Sequence, residues 1–500
     1  MLLPIQFVVM FVSTIVDSST IRLPLYVSRG AVDESVLISK SEWVKRQRDD
    51  LAGRPGQGYY IEALIGTPPQ KLNVLVDTGS SNFAVAAAPH PDITNYFHPK
   101  NSSTFSKLGK SVYVPYTQGN WNGPLAKEVV GFTALPRPTV VVTNIACIES
   151  SSQFFINASK WQGILGLAYA AIARPDSSLT PFFDSMVKQT QIQDVFSLQL
   201  CGTVAGKKML SLDNGTTTAA PDMTGTLVFG GIDKDLYDGS ILYSPIYKKW
   251  YYEVILTDIS VAGVSLNMDC KEYNFDKTIV DSGTTNLRLP TRVFNNVIAN
   301  IQSSLQLLPD QMPPSQFWHG LDIVCWRQGY TPFNSFPSIE LSLMHTDSSY
   351  FQLVISPQQY LRTINPEIPI FGKDCYKFAL AASKTGTVLG AVVMEGFYVV
   401  FDRFNSRLGF AQSKPQCNSY SSRFLISSIR GPFNSTGTDT NRGCAYVKPE
   451  SNTSTLTIVA YVMGIVCILC IIPVFISLIQ WQCNKCRARN SGDTSGLLQE

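Results

Sequence analysis

One short pattern occurs twice in this chain and limits what it can fold into: an apolar run rich in β-branched residues that ends in Asp-Thr/Ser-Gly. Val74-Leu75-Val76-Asp77-Thr78-Gly79-Ser80 returns as Thr278-Ile279-Val280-Asp281-Ser282-Gly283-Thr284, and Ile164-Leu165-Gly166 returns in the same order as Val388-Leu389-Gly390. A repeat on this scale is a duplication, not a short-period array. It implies two pseudo-equivalent lobes, each with a strand that stops at a carboxylate. At 500 residues the chain also exceeds what one core usually organises.

The stretch from Gly58 to Ala411 agrees with this reading. Short runs of Val, Ile, Tyr and Phe, punctuated by Gly, Pro, Asn and Asp, predict strands at Tyr59 to Ile65, Leu72 to Val76, Thr139 to Ile145, Thr226 to Phe229, Tyr251 to Val261 and Phe397 to Phe401. Helical periodicity is confined to Pro181 to Gln189 and Arg292 to Ser304. The expected fold class is all-β, bilobal, with lobes at 58–205 and 206–445.

Two carboxyls brought together by such a duplication can share one proton, because like charges a few ångströms apart do not both ionise cheaply. One takes a proton from water while the other gives one to a carbonyl or a leaving amine, which is the requirement for amide hydrolysis without a metal or a covalent nucleophile. Gly79 and Gly283 lack a Cβ and let the two loops approach. Thr78 and Ser282 can bond across to the opposite loop, and Ser80 and Thr284 can donate to the outer carboxylate oxygens. Competing chemistries lack their parts. The four histidines form no H-E-x-x-H, and no G-x-S-x-G elbow occurs. No metal or cofactor is expected. Charged residues are 15% of the chain, with 40 Lys plus Arg against 37 Asp plus Glu and no basic block, which excludes a nucleic-acid partner.

The ends place the chain in a membrane. Residues 1–20 carry an apolar run, Leu2 to Val12, of secretory length, followed by small polar residues, and read as a signal peptide. A buried N-terminal helix is the other reading, since no Lys or Arg precedes the run. Residues 21–48 read as a propeptide ending at Lys45-Arg46-Gln47-Arg48, with an exposed loop as the plainer reading of that charge cluster. After a luminal stalk at 446–455, residues 456–479 carry no charge and suffice to cross the roughly 30 Å hydrocarbon layer. Lys485, Arg487 and Arg489 in the tail, 480–500, keep that side cytosolic.

Seven cysteines, Cys147, Cys201, Cys270, Cys325, Cys375, Cys417 and Cys444, fall on the luminal side, where disulfides form. An odd number leaves one thiol over. Sequence alone does not fix the pairing. Asn101, Asn157, Asn214, Asn434 and Asn452 are luminal glycosylation sequons. Cys483 and Cys486 sit where palmitoylation occurs.

The two motifs and their surroundings resemble the pepsin-like aspartic proteases over residues 58 to 411. Val112 to Gly119 looks like that family's flap hairpin, with Tyr116, Thr117, Gln118 and Gly119 over the cleft and Trp121 behind. The match is closer still to the β-secretase (memapsin) branch, through Ser80 to Val85, Tyr113 to Gly119, Asp281 to Pro290, Met394 to Asp402 and Ile21-Arg22-Leu23-Pro24-Leu25. The resemblance implies Asp77 and Asp281 as catalytic pair and the pairings Cys201–Cys417, Cys270–Cys444 and Cys325–Cys375, with Cys147 left over. It also implies cleavage of single-pass membrane proteins near the bilayer, and activity in Golgi, endosome and cell-surface membranes. Arg288 in the second motif segment could select acidic substrate side chains, with a surface ion pair as the alternative. Asp493 with Leu497 and Leu498 is similar to an acidic dileucine signal read by cytosolic sorting adaptors. A catalytically dead receptor that keeps the fold and binds peptides is the rival reading.

Overall fold

The computed structural model describes residues 20–27, 58–116, 119–132, 139–155, 160–202, 225–305, 312–327, 333–364, 373–414, 427–435, 440–447 and 453–492. Thr117, Gln118, Asn157, Asn214, Cys417, Asn452, Asp493, Leu497, Leu498, the expected signal peptide and the Lys45 to Arg48 cluster lie outside them.

The duplication seen in the sequence reappears as duplicated topology. Strand Gln70–Asp77 runs parallel to Gly163–Gly166, placing Val76 opposite Leu165 and Asp77 opposite Gly166. Gly163–Gly166 pairs antiparallel with Phe83–Ala86, and Phe83–Ala86 pairs parallel with Thr139–Ile148. In the other half, Thr278–Val280 runs parallel to Thr387–Leu389, which pairs antiparallel with Leu287–Pro290, which pairs parallel with Leu380–Ser383. Both Asp-Thr/Ser-Gly segments therefore leave a strand, loop outward, and return on the far side of the strand that carries the two aliphatic residues and the Gly. Those inner strands are buried on both faces, which is why they read as unbroken Val/Ile/Leu runs.

A 14-stranded sheet among the described residues joins the halves. It passes from Arg407–Ser413 through Phe397–Asp402, Val195–Leu200 and Gly225–Phe229 to Tyr59–Ile65 and Gln70–Asp77. Phe196 and Phe401, cross-strand neighbours in that sheet, stack with ring centroids 4.5 Å apart. Smaller sheets, such as Leu256–Val261 with Ile339–Thr346 and Ser349–Ile355, build the rest of the second half. Helix Phe182–Thr190 buries Phe182, Phe183 and Met186, and helix Thr291–Ser304 buries Val293, Phe294, Val297 and Ile301 at helical spacing.

Two expectations need correction. The apolar run from Tyr251 is a strand only from Leu256 to Val261, because Trp250 and Tyr251 turn, with single bridges from Lys249 to Tyr252 and Glu253 to Ile279. The predicted strands begin at Tyr59, yet Ile21–Val27, within the expected propeptide, is also a strand. Leu23 and Leu25 point into the core, Ile21 to Leu25 pair with Phe229 to Gly225, and Tyr26 and Val27 pair with Tyr60 and Tyr59. Pro24 hides this strand from a sequence reading. Arg22 fastens it, pairing with Asp233 and, at 3.1 Å, with Asp235.

Cys270–Cys444 and Cys325–Cys375 are disulfides, the second linking directly opposed residues of neighbouring strands. Cys201 is also disulfide-bonded. Cys147 is a free thiol buried in strand Thr139–Ile148, and burial, then the charges of Glu149 and Glu128, push it up to about 12. Such a thiol behaves as a small apolar residue. Residues from Val447 onward form a separate unit. Its helix Thr453–Gly492 contains a long apolar stretch within Thr457–Lys485, with Pro473 inside it. That stretch is long and apolar enough to cross a membrane.

Candidate active site

The duplicated topology carries Asp77 and Asp281 to facing loops. Their peptide groups are anchored to the inner strands: Asp281 N–H donates to the Leu389 carbonyl at 3.1 Å, and Leu167 N–H donates to the Asp77 carbonyl at 2.8 Å. Across the gap the loops are pinned reciprocally. Thr78 N–H donates to Ser282 Oγ at 3.1 Å and Ser282 N–H to Thr78 Oγ1 at 2.9 Å. Thr78 Oγ1 in turn donates to the Val280 carbonyl and Ser282 Oγ to the Val76 carbonyl. All four groups are buried, so breaking one bond strands its partner and costs about 1–3 kcal/mol.

Each carboxylate is held by its own loop. Gly79 N–H donates to Asp77 Oδ1 at 2.8 Å and the Ser80 hydroxyl to Asp77 Oδ2. Gly283 N–H donates to Asp281 Oδ1 at 2.9 Å and Thr284 Oγ1 to Asp281 Oδ2 at 2.7 Å. Burial, then the charge of Asp281, raise Asp77 well above the usual carboxylate range, while the Ser80 hydroxyl and Gly79 N–H pull the other way. The two carboxyls are within hydrogen-bonding reach of each other. They titrate as one coupled unit.

Above Asp77, strands Ser106–Pro115 and Asn120–Phe132 form a hairpin with Val114 opposite Trp121 and Pro115 opposite Asn120. Trp121 Nε1 donates to Tyr116 Oη at 3.2 Å. The Ser80 hydroxyl that orients Asp77 also lies near the Tyr116 phenol and acts on its ionisation. Burial and the charge of Asp77 push the Tyr116 phenol upward, so it stays a neutral donor. Gly119 takes φ +75°, and a Cβ there would run into the Gln153 backbone. Phe154 stacks on Tyr116 at 5.5 Å.

Arg288 sits half-buried on strand Leu287–Pro290 within reach of the Asp281 charge. Its Nε is buried and has no hydrogen-bond partner among the described residues. Burial lowers its pKa while Asp281 opposes that shift. The exposed sequons among the described residues are Asn101, after a 3₁₀ turn, and Asn434, at a strand end. Sequence reasoning missed Tyr251, which is raised by burial and then by the charges of Asp281 and Asp77. It also missed Tyr252, whose Oη donates to the Leu167 carbonyl at 2.5 Å. Both lie in the aromatic run read as a strand, so no period distinguished them.

Comparison with known proteins places these residues in context. Residues 58–413 match the family described as eukaryotic aspartyl protease. A beta-secretase of Strongylocentrotus purpuratus is 48% identical over 461 residues, covering 89% of this chain and 83% of that protein. Pepsin A of Suncus murinus is 30% identical and that of Canis lupus familiaris 28%, each over 71% of this chain and 80% of the relative.

Proposed function

The chain belongs to the eukaryotic aspartyl protease family and is a beta-secretase-like aspartic endopeptidase with a C-terminal apolar helix, and from that premise we propose that Asp77 and Asp281 hydrolyse peptide bonds in the luminal juxtamembrane regions of other single-pass membrane proteins. The observation that carries the assignment is the reciprocal Thr78–Ser282 pinning, which holds two buried carboxyls against each other. Such a pair keeps one proton. One carboxyl of the pair holds it and protonates the scissile carbonyl oxygen, while the other takes a proton from the attacking water. Ser80 and Thr284 aim the outer oxygens so that the inner ones face the substrate.

Tyr116, Trp121 and Gly119 of the hairpin close over a bound peptide and exclude water, and Thr117 and Gln118, which lie between Tyr116 and Gly119 in the sequence, are proposed to contact the same peptide. Arg288, whose buried Nε has no hydrogen-bond partner among the described residues, supports a preference for an acidic substrate side chain. The apolar helix supports type I anchoring, and anchoring supports targets that share the same bilayer. Under this proposal 1–20 is a signal peptide and 21–48 a propeptide. Asn101, Asn157, Asn214, Asn434 and Asn452 carry glycans, and Cys201 pairs with Cys417. Asp493, Leu497 and Leu498 recruit sorting adaptors that route the protein through Golgi, endosome and cell surface.

The test is cleavage of fluorogenic peptides by the full-length protein in detergent at about pH 4.5, where a shared-proton pair works. Asp77→Asn and Asp281→Asn should each lower kcat by about 10²-fold or more with the fold intact. Folded wild-type protein that binds peptides and cleaves none would establish the receptor reading instead.

A further inference from the structure

The loop after strand Phe83–Ala86 carries a histidine in contact with the hairpin's aromatic support. His90 Nδ1 lies 3.2 Å from the Asp92 backbone N–H, which it accepts, and 3.6 Å from the Asp92 carboxylate. The imidazole packs 5.3 Å from Phe155, Phe155 meets Phe154 edge-on at 5.0 Å, and Phe154 stacks on Tyr116 at 5.5 Å. Phe154 and Phe155 are buried, and close-packed rings pass displacement to their neighbours. Among the described residues, the groups facing the imidazole are Asp92 from its own loop and Phe155 from the segment after Ser150–Ser152.

Nδ1 accepts the Asp92 N–H with its lone pair. A proton on that nitrogen removes the lone pair, so the Asp92 N–H loses its acceptor and the ring turns its new N–H to the Asp92 carboxylate, 3.6 Å away. The same proton places a cation within the ~6 Å at which an aromatic ring attracts one. We propose that His90 is a positioning residue for the hairpin: its charged form pairs with Asp92, grips Phe155, and through Phe154 steadies Tyr116 over bound peptide. Substrate affinity then carries a pH dependence of its own, separate from that of the carboxyl pair.

The inference rests on the protease reading, and the two fail differently: a protein that cleaves nothing refutes the function, not this wiring. The experiment measures KM for one fluorogenic peptide at about pH 4.5 and about pH 8, which bracket the range where imidazole changes charge. It compares wild type, His90→Phe and Asp92→Asn, all full-length. The carboxyl pair titrates in all three and cancels in the comparison. The ratio of KM at the higher pH to KM at the lower should be about 2- to 5-fold greater in wild type than in His90→Phe, the equilibrium weight of a partly exposed cation–π contact. Asp92→Asn, which keeps the backbone donor and loses the carboxylate, should lose part of the same ratio. Equal KM ratios in wild type and His90→Phe would overturn the proposal. If His90→Phe melts early, Asp92→Asn decides by the same comparison.

Discussion

A single methyl group placed between the two carboxyl loops tests the site most directly. A Cβ built on Gly79 lies 2.5 Å from Asp281 Cγ and Oδ1 and 2.6 Å from Oδ2, where ordinary contact begins at 3.4 Å. Gly79→Ala therefore requires the Asp281 carboxyl or the Gly79 backbone to retreat by about 0.9 Å. Neither retreats freely, since Asp281 is held by Gly283 and Thr284 and the loop by the Thr78–Ser282 pair. A misplacement near 1 Å costs roughly 10²-fold in rate, or about 2.7 kcal/mol of transition-state stabilisation. Overpacking itself costs about 1–3 kcal/mol of stability, so the folded fraction must be followed separately by thermal melting. The assay is kcat for peptide cleavage at about pH 4.5. Gly283→Ala, whose Cβ meets Asp77 instead, should behave alike, and Gly443→Ala, with nothing within 4 Å, serves as control. A folded Gly79→Ala protein with kcat within about threefold of wild type would refute the claim that these carboxyls must touch to work.

Other expectations follow from the same contacts. Because burial and Asp281 raise Asp77, its contribution to stability is full below the unfolded carboxylate value of about 4 and is lost as pH rises through the raised one. Asp77→Asn should therefore raise the melting temperature at about pH 7 more than at about pH 4. The opposite ordering would show the pair is not coupled as described. Arg288→Gln should lower kcat/KM about 10- to 100-fold for peptides with an acidic residue facing it and little for neutral ones, and equal losses for both would remove Arg288 from substrate selection. Replacing Cys270 and Cys444 by Ala should destabilise by about 1 kcal/mol more than replacing Cys325 and Cys375, because the bridges span 174 and 50 residues. Denaturant titration reads the difference. Tyr59 Oη donates to Glu395 at 2.8 Å and accepts Gly202 N–H at 2.8 Å. Tyr59→Phe leaves the buried Gly202 N–H without its acceptor, while Glu395 keeps Arg362, at a cost of about 1–3 kcal/mol, and a melting temperature unchanged by this substitution would show that water replaces the hydroxyl.

By itself the sequence determined the duplication, the strand-rich fold, the paired Asp-Thr/Ser-Gly loops and the apolar terminal segment. Each is written locally: β-branched runs that stop at Asp, glycines where loops must meet, and a charge-free stretch of membrane length. The tertiary structure alone decided what depends on distant segments meeting. Ile21–Val27 becomes a strand because two neighbours wait on its edges, and Pro24 had masked its alternation. Trp250 and Tyr251 turn instead of extending, which brings Tyr251 within reach of both carboxyl charges. The connection from Trp121 through Tyr116 and Ser80 to Asp77 joins the hairpin to the Asp77 loop. Hydrogen bonds and ring contacts across such separations leave no period in the chain, because their geometry is set by how the sheets pack and not by the spacing of residues along any one of them.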